Sequence, residues 1–377
     1  MQIKRNVLLN PGPSTTSDSV KMAQVVPDIC PREKEFQSIM APMREDLVRI
    51  VHGGYDYTSV LFCGSGTICI DVTLNSLLDQ GKKALVINNG SYSQRAVDVC
   101  NAYGLSMIEL KQPIDKQPDL AVIENALKEN EGAVGYVYVT FHETGTGLLN
   151  PVKEIGALAH KYGAFLITDT TSAYAMIPIN VYEENIDFCM ASAQKGIQGM
   201  TGLSYVVGKK DIIERSKNFP VRSYYCNLFM QYDFFEKTGE MHFTPPVQTI
   251  YAARQALSEY WAEGEDNKWR RHQRVMAAIH DGEDKLGLKE YLNRDIQSGL
   301  VSAVLYPGDP NWDFEKIHDY CYEKGFTIYP GKIEQQGTFR LCALGAIDEA
   351  DIRDFWSVFE EALDKYGVQI PIRYRED

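Results

Sequence analysis

The sequence predicts an α/β fold: a large domain on a mostly parallel sheet with helices on both faces, followed by a smaller α+β domain. Between about residue 60 and residue 210, apolar β-rich runs alternate with stretches of helical periodicity. From about residue 248 that alternation stops, and helical stretches bracket only a few short strands. A chain of 377 residues is long enough for two such cores. The expected boundaries are 16–250 for the large domain, with 1–15 and 251–377 making the smaller one.

Taken in order, "CGSGT" (63–67) is a turn that opens the helical run "ICIDVTLNSLLDQG". "KALVIN" (83–88) reads as a buried strand and "SQRAVDVCNAYG" (93–104) as a helix stopped by Gly104. "LSMIEL" (105–110) is a strand, "DLAVIENALKEN" (119–130) a helix and "GAVGYVYVTF" (132–141) a strand. "PVKEIGALAHKYG" (151–163) is a helix with proline at its start and glycine at its end. "AFLITD" (164–169), "IDFCMAS" (186–192) and "GLSYVVG" (202–208) are strands. In the second domain, residues 248–287 read as one long helical stretch. Short strands at "GLVSAVLYP" and "FTIYPG" follow, then the amphipathic helix "EADIRDFWSVFEEALDKYG" and a charged tail.

Composition narrows the function. A net charge of −13 excludes a general nucleic-acid footprint, although a locally basic site for a small anion remains compatible with it. Eight scattered cysteines form no CxxC pair and no zinc-type spacing, so reduced thiols in the cytoplasm, without a metal, are expected. The N-terminal apolar run "VLL" is too short for a signal peptide, and no run approaches the ~20 residues of a membrane helix.

Ligands of parallel sheets gather beyond the carboxyl ends of the strands, which directs attention to a few residues. Ser65, Gly66 and Thr67 offer bare N–H groups, hydroxyls and a positive helix end, which suit a phosphate; a tight turn with Ser65 or Thr67 as N-cap is the alternative. Asp169 ends a buried strand and needs a partner, either a cationic ring nitrogen, a metal or a backbone to cap. Lys195, in "ASAQKGIQG", follows the next apolar strand, and Gly196 and Gly199 beside it allow another surface to approach closely. Such a lysine either becomes a nucleophile in a partly desolvated pocket or snorkels to solvent. Arg340, alone in the apolar strand "GTFRLCALG", either grips an acid group in a two-pronged bond or pairs internally. The combination is sharper than its parts. A phosphate cradle, an acid at one strand end and a lysine at the next are what pyridoxal 5′-phosphate requires: the lysine bonds to its aldehyde and the acid keeps its ring nitrogen protonated.

With these residues in hand, the chain resembles the class V, fold-type I pyridoxal-phosphate aminotransferases. The motifs run from "LLNPGPSTTSDSVKMA" through "YTSVLFCGSGT", "NNGSYSQR", "HETGTGLLNP", "ITDTTSAY" and "SAQKGIQG" to "HFTPP", "FTIYPGK" and "TFRLCALG". "KGIQG" and "IYPGK" point to the branch that handles phosphonates. The resemblance implies a seven-stranded-type sheet and transfer of the amino group of 2-aminoethylphosphonate to pyruvate. The alternatives are a class V transaminase using serine or alanine with glyoxylate or pyruvate, a phosphonate lyase using the same cofactor and, last, a non-catalytic binder of it. It also implies residue roles: Ser65, Gly66, Thr67 and Ser192 at the cofactor phosphate, Tyr92 against the ring, Thr144 touching the cofactor, Asp169 at the ring nitrogen, and Lys195 bonded to the aldehyde. Arg340 would hold the substrate acid group. Thr244 would reach the neighbouring subunit's cofactor, so a homodimer is implied. The chain departs from the family pattern near the N-terminus, where it reads "DICPREKEF", and in "FRLCALG", where Ala343 replaces an amide side chain. Arg32, in the altered segment, reads as an ion-pair partner of Glu33 or Glu35, or else as a second anion-binding group.

Overall fold

Strands whose residues are buried on both faces build the centre of the molecule. The computed structural model describes residues 3–333 and 336–374; the last three residues of the charged tail lie outside them. The large unit contains strands β1 (Tyr57–Cys63), β2 (Lys83–Asn88), β3 (Met107–Lys111), β4 (Val134–Thr140), β5 (Phe165–Asp169), β6 (Phe188–Ser192) and β7 (Leu203–Lys209). They form one seven-stranded sheet in the order β1-β7-β6-β5-β4-β2-β3. Every pairing from β6 to β3 is parallel, while β7 runs antiparallel to both β6 and β1. The continuous apolar runs of β4 and β6 follow from this placement, because helices cover both faces.

Those helices are α1 (Gly66–Ser76), α2 (Ser91–Ala102), α3 (Leu120–Glu129) and α4 (Val152–Lys161). On α4 the buried residues Val152, Ile155, Gly156 and Ala159 fall on one stripe, which packs against β4 and β5. The predicted strands and helices from residue 83 onward match these elements to within two or three residues at each end.

The long helical stretch of the second part is two helices. Gly264, at φ 82°, separates α5 (Val247–Glu263) from α6 (Glu265–Leu286), since its left-handed backbone cannot continue a helix. Ile250, Ala253, Leu257 and Tyr260 of α5 pack into the sheet core. The cores therefore part near Gly264, later than the boundary expected after residue 250. The second core lies between α6, the strands β8 (Val301–Leu305), β9 (Tyr329–Pro330) and β10 (Thr338–Cys342), and α7 (Glu349–Tyr366). On α7, Ile352, Phe355, Trp356, Phe359, Ala362 and Leu363 make the buried stripe, and Asp348 with Asp351 closes a capping box at its start.

The N-terminal segment crosses between the two cores. Val7 and Leu9 belong to the second core, and Val7–Leu8 pair in parallel with Phe326–Thr327. Ser14 then donates its N–H to the Gln194 carbonyl at 2.8 Å and its hydroxyl to the Lys195 carbonyl at 3.0 Å. Thr15 bridges to Gly345. The loop carrying Lys195 is thereby held from the amino-terminal side.

Candidate active site

Three neighbouring parallel strands end side by side. Thr140 closes β4, Asp169 closes β5 opposite it, and Ser192 closes β6 beside them. A cavity opens above these ends. Ser65, Gly66, Thr67, Tyr92, Thr144, Asp169, Ser192 and Lys195 all line it, so eight of the ten sequence-predicted residues meet in one place.

The helix-start wall is α1. Its N-cap residue, Ser65, makes no side-chain capping bond, so the first-turn N–H groups have not been taken up by it. A Cβ on Gly66 would stand 3.0 Å from Thr171 Cγ2 and 3.5 Å from Ser192 Oγ. Only a bare backbone leaves that wall open. Ser192 Oγ is buried and, among the described residues, has no hydrogen-bond partner. Arg95 donates to Thr67 Oγ1 at 3.0 Å, adding a cation beside the positive helix end. An unpaired hydroxyl, uncapped amides and a guanidinium around one glycine fit a phosphate group.

Asp169 accepts the N–H of Thr171 at 2.8 Å and its hydroxyl at 2.5 Å, both on Oδ1. Among the described residues, no donor is assigned to Oδ2, which is free to meet a cationic ring nitrogen.

Lys195 sits three residues past β6. Gly196 allows the loop to press against the next segment, since a Cβ there would lie 1.8 Å from the Tyr174 carbonyl oxygen. From the other side Gly12 packs on the lysine stem; a Cβ there would be 2.8 Å from Lys195 Cε. Burial lowers the Lys195 pKa, against the pull of Tyr92 and Asp169, so the free amine is more accessible than in an ordinary lysine.

Tyr92 begins α2, and a residue that the sequence reading did not single out fixes its position. Glu143 is fully buried and accepts the N–H groups of Tyr92 at 3.0 Å and Ser93 at 3.1 Å, capping α2 from outside the helix. Burial pushes its carboxyl up to about 7 despite those bonds. The Tyr92 ring faces Lys332 Nζ at 5.0 Å, Arg95 Cζ at 5.2 Å and Lys195 Nζ at 5.8 Å. Burial opposes ionisation of its phenol, yet Lys195, Arg340 and Lys332 together hold its pKa below the usual tyrosine value.

His142, another lining residue, is held at both ring nitrogens, by the Ser172 carbonyl at 3.0 Å and Ser298 Oγ at 2.9 Å. Burial lowers its pKa to about 4, so it stays neutral near pH 7. Thr144 donates to Ser172 Oγ at 3.2 Å and offers its carbonyl to Arg340 at 3.1 Å.

Two predicted residues stand apart. Arg340 is fully buried just behind the wall, bonded to the carbonyls of Thr144 and Pro330, with its guanidinium 5.3 Å from the Tyr329 ring. Thr244 is exposed outside the cavity lining, near Cys63, Tyr225 and Phe243. Arg32 pairs with neither Glu33 nor Glu35. Its guanidinium meets Glu240 at 2.7 Å and the carbonyls of Met241 and His242, tying down the segment that carries Thr244.

The sequence profile described as "Aminotransferase class-V" matches residues 20–332. This chain belongs to the class V aminotransferases. It is 33% identical over 365 residues to the 2-aminoethylphosphonate–pyruvate transaminase of Cupriavidus necator, covering 97% of this chain and 96% of that one. It is 34% identical over 349 residues to the protein of the same name from Phocaeicola vulgatus, covering 92% and 95%. In fold, this class V aminotransferase resembles ureidoglycine–glyoxylate aminotransferase from Bacillus subtilis, with a TM-score of 0.89 at 19% identity over 98% of this chain and 96% of that one. As in its family, the cofactor is pyridoxal 5′-phosphate. Among the described residues no helix is long and apolar enough to cross a membrane, and all eight cysteines are free thiols.

Two cations on the wall, Arg95 and Lys332, had escaped sequence reading as site residues. Each lies inside a motif carried by the family resemblance, "NNGSYSQR" and "IYPGK", and each is the only cation of an otherwise uncharged stretch or its end. His142 and Glu143 come from "HETGTG", where their burial gave no sequence signal.

Proposed function

We propose that this aminotransferase moves the amino group of 2-aminoethylphosphonate to pyruvate, giving phosphonoacetaldehyde and L-alanine. The observation that carries this reading is the charge of the pocket. An acidic chain lines one cavity with Arg95, Lys195 and Lys332, sets Arg340 behind it, and, among the described residues, opposes them with Asp169 as the one lining carboxylate. That balance suits two anionic groups at once, a cofactor phosphate and a substrate phosphonate or carboxylate. The names of the relatives support the same donor and acceptor.

In this reading Ser65, Gly66, Thr67 and Ser192 hold the cofactor phosphate, Tyr92 lies against the ring, Thr144 touches the cofactor and Asp169 meets the ring nitrogen. When bound, pyridoxal 5′-phosphate supplies an aldehyde that bonds reversibly to amines and a ring that draws off the charge left by deprotonation. Lys195 Nζ would take the proton from the amine-bearing carbon of the donor, hold it, and give it up two atoms along, on the far side of the donor nitrogen. Burial, which lowers its pKa, favours the neutral amine that this task needs. The Ser14 bonds and the Gly12 contact keep the stem in place between the two transfers. Arg340, with Lys332 at the rim, anchors the acid group first of the donor and then of pyruvate. The active unit is a homodimer in the cytoplasm, with Thr244 of each subunit serving the partner's phosphate site. Exposed Val221, Tyr224 and Tyr225 near Thr244 give that contact an apolar surface.

The test is a panel of amino donors with pyruvate, read as alanine formed. 2-Aminoethylphosphonate is expected to give the highest kcat/KM. If serine or another amino acid turns over while 2-aminoethylphosphonate leaves the cofactor absorbance unchanged, the donor assignment fails and only the family stands.

A further inference from the structure

Far from the cavity, the end of α6 holds a group of side chains that the reaction does not use. His280 and Glu283, three residues apart, share one face of the helix. After the turn at Gly287 the chain brings Glu290 back alongside β8, where it bridges to Val304. One ligand atom from each of His280, Glu283 and Glu290 lies within 4.8 Å of the others, and His280 Nε2 is 3.6 Å from Glu290 Oε2. Two ligands bound at ~2.1 Å to a tetrahedral centre stand roughly 3.4 Å apart, close to the His280–Glu290 separation.

Glu283 is the decisive residue. It is 0% exposed, and among the described residues neither carboxylate oxygen receives a well-formed hydrogen bond, the Ser302 hydroxyl being the neutral donor beside it. His280 Nε2 is likewise buried without a hydrogen bond, as are Ser302 Oγ and Gln297 Oε1 close by. A carboxylate buried without a counter-charge is expensive. The cations near it are otherwise engaged: Arg294 binds Glu290 at 2.5 Å and Asp284 at 2.8 Å. Asp281 and Asp284 add further negative charge around the cluster. Burial, then the charge of Glu290, pushes the Glu283 carboxyl well above the usual range. A proton would remove that charge, but it would not bring His280, Glu283 and Glu290 together on one partner. A divalent cation does so, and it supplies the counter-charge that Glu283 lacks, Glu290 already sharing Arg294.

We propose that His280, Glu283 and Glu290 bind a single divalent transition-metal ion, with Zn²⁺ the best match to the donor set. One nitrogen and two oxygens suit Zn²⁺ or Mn²⁺, whereas the imidazole disfavours Mg²⁺ and Ca²⁺. The partly exposed edge of His280 leaves room for water to complete the shell. The ion pins the carboxyl end of α6 to the segment leading into β8. That segment continues through Gln297, which donates to Glu290 at 2.5 Å, to Ser298, the partner of His142 in the cavity wall.

The experiment uses the holoenzyme, freed of adventitious metal with chelator and titrated with Zn²⁺ in a calorimeter, with Mg²⁺ as a comparison. The expected result is one Zn²⁺ per chain, bound at least about tenfold more weakly in Glu283→Gln and in His280→Ala, and much more tightly than Mg²⁺. Zn²⁺ should raise the melting temperature of the wild type and of neither variant. Circular dichroism and the cofactor absorbance report whether each variant folds. Should Glu283→Gln not fold, His280→Ala, which alters a partly exposed side chain, carries the test. A wild type that binds no Zn²⁺, folded variants that bind it as tightly as the wild type, or equal affinity for Mg²⁺ would each overturn the proposal.

Discussion

Replacing Gly12 with alanine probes how closely the amino-terminal segment controls the reactive lysine. The new Cβ would lie 2.8 Å from Lys195 Cε and 2.9 Å from Cγ. Carbon atoms settle at about 3.5–4.0 Å, so one partner must retreat by about 1 Å. The loop is poorly placed to do so, because Ser14 is bonded to the carbonyls of both Gln194 and Lys195. The lysine stem is the flexible partner and moves instead. A misplacement of about 1 Å at a reacting group costs on the order of a hundredfold in rate, or about 2.7 kcal/mol in the barrier. Gly12 also has φ 129°, where an alanine adds about 1–3 kcal/mol of backbone strain. The assay is steady-state alanine formation, with cofactor absorbance to show that the site is loaded and a thermal melt to read the strain. A kcat within about threefold of wild type and an unchanged melting temperature would refute the idea that this segment holds the stem.

Other outcomes follow from the same geometry. Lys195→Ala should abolish turnover while the cofactor stays bound through its phosphate, which a spectrum of the purified protein and a null alanine assay would show together. Ser192→Ala removes a hydroxyl that has no partner among the described residues, so the apo protein should melt unchanged while cofactor release quickens about 3–10-fold, the effect of one hydrogen bond. Arg340→Ala should raise KM for both the amino donor and pyruvate; a rise for the donor alone would rule out a shared anchor. Lys268 is buried and its pKa is lowered to about 7, by burial first and Arg271 second. The unfolded chain binds the extra proton between about 7 and 10.5, so the cost of this lysine is full below pH 7 and fades as pH rises towards 10.5. Lys268→Met should therefore raise the melting temperature at pH 6, with an advantage of the order of several kcal/mol that vanishes near pH 10.

Legibility of the sequence depended on whether the physical cause of a feature was local. β2, β4, β5 and β6 could be read because burial on both faces demands unbroken apolar runs. β1 carries Thr58 and Ser59 after its first residue, Tyr57, and Arg44 offsets their burial by donating to the Ser59 carbonyl and the Thr58 hydroxyl. The residue pattern alone therefore did not mark it. Asp169 and Lys195 stood out as single charges at the ends of apolar strands. Glu143 did not, because what makes it important is the start of α2, which folding brings to it. The partner of Arg32 was missed for the same reason, lying on the far side of the sheet sequence at Glu240. In the 280–290 cluster, the spacing of His280 and Glu283 is that of any charged helix, and burial of Glu283 is a fact of tertiary packing.

The strand order carries a consequence for synthesis. β1 is an edge strand whose sole neighbour is β7, and Cys63 faces Leu203 in that pair. A growing polypeptide must therefore keep its earliest strand unzipped while the whole parallel array emerges from the ribosome behind it. The turn at Ser65–Thr67 hangs directly on that strand. The phosphate-binding turn thus rests on a strand that gains its only sheet partner when Leu203–Lys209 has been made, and until then its apolar edge stays uncovered.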